Sequence, residues 1–221
     1  MTSQWRITEK RAVLQEASLY LCTPIRADLM DFVASCIAGG VDVVQLRDKD
    51  ATDREIFEAA KRVGALCHEA RVPFFINDRF DVALACDADG VHVGQDDLPP
   101  DAIVPEIRQR LLLGYSTHSH KELDESDQYD LDYVSVGPIV PTPTKPGRPG
   151  TGLDYLRYAV ATARRPFFVT GGVSNETIEG LLKTGAHRFV VVRALTEAVH
   201  PQQVALELRS AIDHYRSKRP S

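Results

Sequence analysis

The stretch YVSVGPIVPTPTKPGRPGTG, residues 133–152, joins a short apolar run to the most unusual loop in this chain. Five of the chain's 13 prolines and four of its 14 glycines lie between residues 137 and 152. Because proline fixes φ and lacks an N–H donor, this composition excludes a helix or a central strand. The run YVSVGPI, residues 133–139, is therefore predicted to be a buried strand that leads into a long loop.

The loop itself is a candidate ligand-binding segment. Loops of more than about 12 residues inside a compact domain are usually functional or disordered. Hydroxyls and cations of the kind found here suit a phosphate or pyrophosphate ligand. They are Thr142, Thr144, Lys145 and Arg148. The alternative is a solvated surface loop in which the two cations are incidental.

Apolar strands followed by helical segments recur along the whole chain. Strands are predicted at residues 18–23, 41–47, 73–78, 90–95, 111–116, 133–139, 166–172 and 188–195. Helical patterns follow most of them, for example at 29–37, 52–70, 175–184 and 201–215, whereas 81–85 allows only a short turn of helix. Short buried strands that alternate with helices indicate a parallel sheet with helices outside. Eight such repeats in about 200 residues fit a closed (β/α)₈ TIM barrel, of the α/β class, better than an open sheet.

Composition predicts one domain and excludes several classes of partner. No linker-like segment divides the chain, so the barrel is predicted over 18–215, with an N-terminal helical extension at 1–17 and a frayed tail at 216–221. A net charge of −5 argues against a broadly basic nucleic-acid surface. No apolar run reaches the roughly 18 residues of a membrane span, and the N-terminus is too polar for a secretory signal. We therefore expect a cytoplasmic protein with no nucleic-acid or membrane partner; its oligomeric state does not follow from the sequence.

Polar residues follow the predicted strands, where barrels of this kind carry their chemistry. On the second strand, two-residue alternation places Gln45, Arg47 and Lys49 on one side, an amide and two cations. The alternative is that the two cations pair with Asp48 and Asp50 at the rim.

Asp78 and Asp97 follow the third and fourth strands and make a plausible magnesium site beside those cations. Mg²⁺ is held by one or two carboxylates, with waters and substrate phosphates as the other ligands. The alternative is that either residue caps the next helix, although Asp96 faces the other way and is the better cap. His92, inside the fourth strand, is predicted to be a hydrogen-bonded core histidine rather than a ligand.

The remaining strand ends suggest a second anion site. Ser116 follows the fifth strand and suits a phosphate oxygen, while Ser119 suits either a phosphate or a helix cap. Gly172 and the pair Val192-Arg193 follow strands seven and eight, whose loops often bind phosphate through backbone N–H groups. Glycine at 172 would permit a close approach of that backbone. Two halves of one site, one for a pyrophosphate and one for a monophosphate, are thus expected.

In order and spacing, seven segments resemble the signatures of the thiamine phosphate synthase family. They are QLRDK (45–49), ND (77–78), GVHVGQDD (90–97), GYSTHS (114–119), GPIVPTPTK (137–145), TGG (170–172) and VVRAL (191–195). The resemblance implies a (β/α)₈ transferase that joins 4-amino-2-methyl-5-hydroxymethylpyrimidine pyrophosphate to thiazole phosphate. It would release pyrophosphate and form thiamine phosphate with Mg²⁺ as cofactor.

Position by position, the resemblance also implies roles for individual residues. The pyrimidine pyrophosphate would be contacted by Gln45, Leu46, Arg47, Asp48, Lys49, Asn77, Ser116 and Lys145. Among these, the catalytic residues would be Arg47, Lys49, Ser116 and Lys145. The magnesium ligands would be Asp78 and Asp97. The thiazole phosphate site would comprise Thr142, Pro143, Thr144, Gly172, Val192 and Arg193. Many relatives have serine in place of Arg193, which leaves the role of its side chain open.

Two other functions compete with the synthase. A thiazole tautomerase, an isomerase on the same fold, needs a thiazole phosphate pocket but no pyrophosphate-and-magnesium half, so QLRDK and the two aspartates favour the synthase. A catalytically silent ligand-binding relative would have no need to retain every charged position. Without the resemblance, the residues alone indicate a phosphate-handling barrel enzyme, with a phosphosugar isomerase as an equal alternative.

Overall fold

The computed structural model describes residues 5–103, 105–141 and 150–218. Eight parallel strands pair in sequence order and β8 pairs back to β1, so the sheet closes into a barrel. The strands are β1 (Leu19–Thr23), β2 (Val43–Leu46), β3 (Phe74–Asn77), β4 (Gly90–Val93), β5 (Leu112–Thr117), β6 (Tyr133–Val136), β7 (Phe167–Val169) and β8 (Phe189–Val191). The predicted (β/α)₈ barrel is confirmed.

Helices lie between the strands and at both ends of the chain. The α-helices of the described ranges are α1 (Ile7–Glu16), α2 (Leu29–Ala38), α3 (Asp53–Ala70), α4 (Phe80–Ala85), α5 (Pro105–Arg108), α6 (His120–Glu125), α7 (Gly152–Thr162), α8 (Ile178–Leu182), α9 (Arg193–Thr196) and α10 (Pro201–Ser217). Short 3₁₀ turns occupy Pro100–Ala102 and Ser126–Gln128. None of the helices in these ranges combines the length and the hydropathy that a membrane span requires.

The eighth strand is shorter than predicted. Val192 leaves the extended conformation, with φ −117° and ψ −89°, and its carbonyl accepts the N–H groups of Leu195 and Thr196 at 3.0 and 2.9 Å. Residues 193–196 therefore form α9 instead of continuing the strand. This turn brings Arg193 to the amino end of a helix at the barrel mouth.

The helix after β7 starts later than predicted, at Ile178 rather than residue 175. The Thr177 hydroxyl accepts the N–H of Ser174 at 3.0 Å and donates to the carbonyl of Gly172 at 2.5 Å. Because these bonds tie the segment into a turn, residues 175–177 stay outside the helix.

Every strand is buried on both faces, which explains the continuous apolar runs in the sequence. Alternate side chains fill the barrel interior: Tyr20, Val43, Phe75, Leu112, Tyr133 and Phe168, together with Leu14 and Ala17 from the N-terminal segment. The intervening side chains, such as Leu21, Val44 and Leu46, pack outward against the helices.

Three aspartates order the amino ends of the strands. Each stands directly before an even-numbered strand, and its carboxylate accepts an N–H near the start of the preceding odd-numbered strand. The pairs are Asp42 with Leu19 (2.9 Å), Asp89 with Phe74 (2.9 Å) and Asp132 with Leu113 (2.8 Å). The arrangement holds neighbouring strands in register at the face opposite to the predicted site.

Helix α1 covers that same face. Lys10 Nζ lies 3.0 Å from Asp89 Oδ1, and Arg11 Nε lies 2.7 Å from Asp132 Oδ1. Leu14, only 2% exposed, packs into the interior between these anchors. The predicted N-terminal helical segment thus closes the bottom of the barrel.

Candidate active site at the carboxyl ends of the strands

A cavity of about 980 Å³ opens at the carboxyl ends of the strands. Most of the residues singled out in the sequence line it: Gln45, Arg47, Asp48, Lys49, Asn77, Asp78, Asp97, Ser116, Gly172, Val192 and Arg193. Leu46 does not line it, because its side chain is buried in the outer core at 1% exposure. Thr142, Pro143, Thr144, Lys145 and Arg148 lie outside the described residues.

One side of the cavity is cationic. Lys49 Nζ lies 3.6 Å from Asp78 Oδ2, and the Arg47 guanidinium forms no ion pair within the described residues. The carboxylate of Asp48 instead accepts the backbone N–H groups of Ile25, Asp50 and Ala51 at 3.1 to 3.2 Å. The alternative, in which Arg47 and Lys49 pair with Asp48 and Asp50 at the rim, is therefore not found. A guanidinium that lines a cavity and is not engaged in an ion pair there favours an anionic ligand.

Two carboxylates face each other beside these cations. Burial and the neighbouring Asp97 carboxyl raise the pKa of Asp78 to about 6, against the opposing effect of Lys49 and Arg47. In the described structure α4 has no side-chain cap, and Asp97 Oδ2 accepts the N–H of Gly94 at 2.7 Å. Neither aspartate thus acts as the helix cap that the alternative interpretation required.

This pair is suited to Mg²⁺, which takes one or two protein carboxylates and completes its octahedron with waters and phosphate oxygens. No group of three or more His, Cys, Asp or Glu side chains able to hold a metal occurs in the described ranges. A cation held here would therefore depend on ligands from water and substrate.

A chain of polar side chains crosses the barrel interior beneath the cavity. The Gln45 amide donates to Tyr20 Oη at 2.9 Å, and Tyr20 Oη lies 2.9 Å from Tyr133 Oη. His92 continues the chain, with Nδ1 2.9 Å from Tyr133 Oη and Nε2 3.0 Å from Ser116 Oγ. His92 is thus a hydrogen-bonded interior histidine, as the sequence predicted.

Sequence reasoning missed Tyr20 and Tyr133, the two tyrosines among these hydrogen-bonded side chains. Both are fully buried, Tyr20 at 1% and Tyr133 at 0% exposure, and burial raises the pKa of each hydroxyl. The available signal was their alternation with outward-facing residues on β1 and β6. A buried tyrosine usually needs a hydrogen-bond partner for its hydroxyl, so each position marked a polar group inside the barrel.

The other side of the cavity is built from backbone. Gly171 and Gly172 have φ of 84° and 78°, in the left-handed region that favours glycine. A side chain on Gly172 would collide with Val140, at the start of the long loop. The carbonyl of Thr170 accepts the N–H of Ile139 at 2.8 Å, so the end of β7 and the loop after β6 are in direct contact.

The loops after strands five and eight complete the rim. Ser119 caps α6 by accepting the N–H of Glu122 at 3.2 Å, which is the structural alternative foreseen for it. His118, not assigned a role from the sequence, lines the cavity with Nδ1 2.9 Å from Glu122 Oε2. Arg193 is exposed, lines the cavity, and forms no ion pair in the part of the chain that the structure describes.

Comparisons with known proteins agree with this architecture. The family model described as thiamine monophosphate synthase matches residues 19–195. The thiamine-phosphate synthase of Mycolicibacterium smegmatis is 42% identical over 219 residues, covering 90% of this chain and 93% of that protein. That of Thermobifida fusca is 42% identical over 204 residues, covering 90% and 94%. The solved structure of thiamine phosphate pyrophosphorylase from Pyrococcus furiosus superposes with a TM-score of 0.81 at 32% identity, covering 91% of this chain and 98% of that one.

Proposed function

The chain belongs to the thiamine monophosphate synthase family, and on that basis we propose how it works as a transferase. It condenses 4-amino-2-methyl-5-hydroxymethylpyrimidine pyrophosphate with thiazole phosphate, giving thiamine phosphate and pyrophosphate. The observation that carries the proposal is that one cavity unites cations, a carboxylate pair and glycine-rich backbone. Its volume lies at the upper end of the range of ligand pockets, as a site for two substrates requires.

The pyrimidine pyrophosphate is assigned to the cationic side. Its CH₂–O bond breaks so that the electron pair leaves with the pyrophosphate and the pyrimidine methylene carbon becomes a delocalised cation. Arg47 and Lys49 face the charge that grows on the leaving group, and Lys145 is expected to do so from the long loop. Mg²⁺ held by Asp78 and Asp97 would neutralise part of the same charge.

The thiazole phosphate is assigned to the side formed by Gly172, Val192 and Arg193, with Thr142 to Thr144 of the long loop as further expected contacts. The thiazole nitrogen supplies the electron pair of the new C–N bond. The protein's contribution is to hold this nitrogen next to the cationic carbon and to stabilise charge. No protein nucleophile is needed for this chemistry.

The competing functions fit the cavity less well. A tautomerase acting on thiazole phosphate alone has no use for the two cations that follow β2 or for two facing carboxylates. A silent ligand-binding relative would bind both substrates without forming product. The relatives described above carry the synthase name, which also supports the transferase.

Turnover with both substrates and Mg²⁺ tests the proposal. Purified protein should form thiamine phosphate and pyrophosphate in equal amounts, and neither product should appear when one substrate is omitted. Arg47→Ala should lose most of the activity. Lys121→Ala is the control, because it also removes one cation but from the exposed face of α6, and it should retain the activity. Binding of both substrates without product would support the silent relative, and conversion of a thiazole alone would support the tautomerase.

A further inference from the structure

We propose that Gln95, two residues after β4, is a positioning residue whose side chain links the turn that carries Asp97 to β5. Through this link it sets where the Asp97 carboxylate stands, and therefore how tightly Asp78 and Asp97 together hold Mg²⁺. The inference deepens the proposed function, because it rests on the magnesium site assigned there. Gln95 lines the cavity, and none of the roles that the resemblance implies falls on it.

Residues 94–97 form a tight turn with an internal hydrogen bond. β4 ends at Val93, and Asp97 Oδ2 accepts the N–H of Gly94 at 2.7 Å. A Cβ added to Gly94 would lie only 3.1 Å from the same oxygen, so the carboxylate packs against the backbone of the turn. The Asp97 carboxylate therefore moves with the turn, and a group that fixes the turn also fixes the carboxylate.

The Gln95 side chain connects this turn to the neighbouring strand. Its Nε2 donates to the main-chain carbonyl of Ser116 at 2.7 Å, and its Oε1 accepts the hydroxyl of Tyr115 at 2.9 Å. Because a carbonyl oxygen can only accept, the amide has one orientation, with its nitrogen toward Ser116 and its oxygen toward Tyr115. Both polar atoms of the amide are thus bonded to adjacent residues of β5, the strand with which β4 pairs.

The bond to Ser116 extends the pairing of β4 with β5 beyond the end of β4. Between β3 and β4 the corresponding extension is made by the backbone, where the N–H of Asp78 donates to the carbonyl of His92 at 2.8 Å. Beside β5 the chain has already turned at Gly94, and the side-chain amide of Gln95 is the donor. A side-chain donor can be removed by substitution, so its contribution can be measured.

The partner of the Gln95 oxygen has little freedom to move. Tyr115 is 7% exposed, and its ring meets that of Tyr129 edge to face with centroids 5.7 Å apart. The carbonyl of Tyr129 accepts Arg165 Nη2 at 2.6 Å. Burial raises the pKa of Tyr115 above its ordinary value of 10.0, so at neutral pH the hydroxyl keeps the hydrogen that it donates to Gln95.

Such a link acts on the metal site without contacting the metal. Mg²⁺ requires near-ideal octahedral geometry, and replacement of residues that orient metal ligands typically changes metal affinity by about 10–100-fold. Asp78 is restrained separately, by its bond to the His92 carbonyl. Loss of the Gln95 amide should therefore release the Asp97 carboxylate while Asp78 stays in place.

Gln95→Met tests the link, because methionine keeps the length of the side chain and removes both hydrogen bonds. The dissociation constant of Mg²⁺, titrated calorimetrically into the protein with pyrophosphate present, should rise about tenfold. The Mg²⁺ concentration for half-maximal activity should rise with it. At saturating Mg²⁺, kcat and the KM of both substrates should return to within about twofold of the wild-type values, because Gln95 acts through Asp97.

Tyr115→Phe removes one of the two bonds and provides a second test if Gln95→Met fails to fold. It should raise the same dissociation constant by a smaller factor, about threefold. Tyr155→Phe is the matched control, and it should leave the Mg²⁺ affinity unchanged. Tyr155 is 3% exposed, and its hydroxyl donates to Thr117 Oγ1 at 2.6 Å, also at the end of β5 but from α7.

An unchanged Mg²⁺ affinity in Gln95→Met, or in Tyr115→Phe if only that variant folds, would overturn the proposal. So would an equal loss in Tyr155→Phe, or a wild-type protein that does not bind Mg²⁺. A raised KM of the pyrimidine pyrophosphate that persists at saturating Mg²⁺ would also overturn it, because Gln95 would then act on that substrate directly. The titration needs no turnover, so a protein with Gln95-dependent Mg²⁺ binding that forms no thiamine phosphate would refute the proposed function and leave the link intact.

Discussion

Asp78 is held in an uncommon backbone conformation. Its φ is 62°, in the left-handed region that aspartate tolerates better than most residues. The N–H of Asp78 donates to the carbonyl of His92 on the neighbouring strand at 2.8 Å. Conformations of this kind persist only where the surroundings hold them, and they cluster at functional sites. Here the restraint keeps the Asp78 carboxyl beside that of Asp97.

The facing carboxyls predict the metal dependence of single variants. Asp78→Asn and Asp97→Asn should each raise the Mg²⁺ concentration needed for half-maximal activity, because each removes one anionic ligand. Calorimetric titration of Mg²⁺ in the presence of pyrophosphate should show the same weakening. Asp101→Asn is the control, since Asp101 is exposed and is not among the residues that line the cavity. An unchanged metal dependence in both Asp78→Asn and Asp97→Asn would rule out the shared site.

Gly172 predicts a selective effect on the second substrate. In Gly172→Val the new side chain would collide with Val140, and the φ at position 172 would be unfavourable for valine. The backbone after β7 must therefore move. We expect weaker binding of thiazole phosphate and largely unchanged binding of the pyrimidine pyrophosphate, measured by calorimetry. Gly180→Val on α8 is the control, because an added Cβ there meets no atom within 4 Å. Equal losses for the two ligands would contradict the division of the cavity.

Asp89, directly before β4, contacts three other elements at the amino ends of the strands. Its carboxylate accepts the N–H of Phe74 at the start of β3, lies 3.0 Å from Lys10 of α1, and lies 3.3 Å from His68 Nε2 of α3. Burial alone would raise the pKa of Asp89, but the His68 hydrogen bond and the Lys10 charge outweigh it and lower that pKa. The same hydrogen bond raises the pKa of His68 above its ordinary value of 6.5.

The raised pKa of His68 predicts a pH-dependent contribution to stability. A histidine with a higher pKa in the folded state stabilises the fold fully below its unfolded pKa, and this contribution is lost as pH rises through the folded value. His68→Gln should therefore lower the free energy of unfolding more at about pH 6 than at about pH 9. Urea denaturation at both pH values measures the difference.

A double variant controls for effects unrelated to the ion pair. In an Asp89→Asn background, the cost of His68→Gln should no longer depend on pH in this range. A cost in the wild-type background that is equal or larger at the higher pH would contradict the assignment.

The strands and the long helices were predictable, while the turns between them were less so. Two-sided burial produces continuous apolar runs, and the capping box of Thr52 and Glu55 marks the start of α3 in the sequence. The breaks after Val192 and before Ile178 depend on hydrogen bonds of single residues that no periodicity reveals. An apolar run thus predicts a strand better than it predicts where the strand ends.

Part of the site was predictable for the same reason. Alternation along β2 is local, so the shared side of Gln45, Arg47 and Lys49 could be read from the sequence. The side chains that meet in the barrel interior are far apart in the sequence, and Tyr133 comes 113 positions after Tyr20. Their contact depends on closure of the barrel and on strand register, which a single sequence does not specify.

The two ends of the barrel have different electrostatic organisation. At the amino ends, aspartates and basic side chains are paired: Asp42 with Arg209, Asp89 with Lys10, and Asp132 with Arg11 and Arg108. At the carboxyl ends, Arg47 and Arg193 form no ion pair in the described ranges, and two carboxyls face each other. The paired end holds the strands together, and the other end keeps charge available for ligands. Stability and catalysis should therefore respond to different sets of substitutions.

Leu14 and Lys49 test this separation. Leu14 is 2% exposed and fills the bottom of the interior from α1. Leu14→Ala should therefore lower the free energy of unfolding by about 2–5 kcal/mol, with kcat unchanged while the protein is folded.

Lys49 is 60% exposed and only loosely paired with Asp78. Lys49→Ala should therefore change the free energy of unfolding by less than about 1 kcal/mol and lower kcat strongly. Urea denaturation and saturation kinetics on both variants measure the two effects, with Leu206→Ala, a half-exposed leucine of α10, as the control for leucine truncation. If Leu14→Ala lowers kcat as much as Lys49→Ala does, the bottom of the barrel is coupled to the mouth through the interior side chains, and the two ends do not have separate roles.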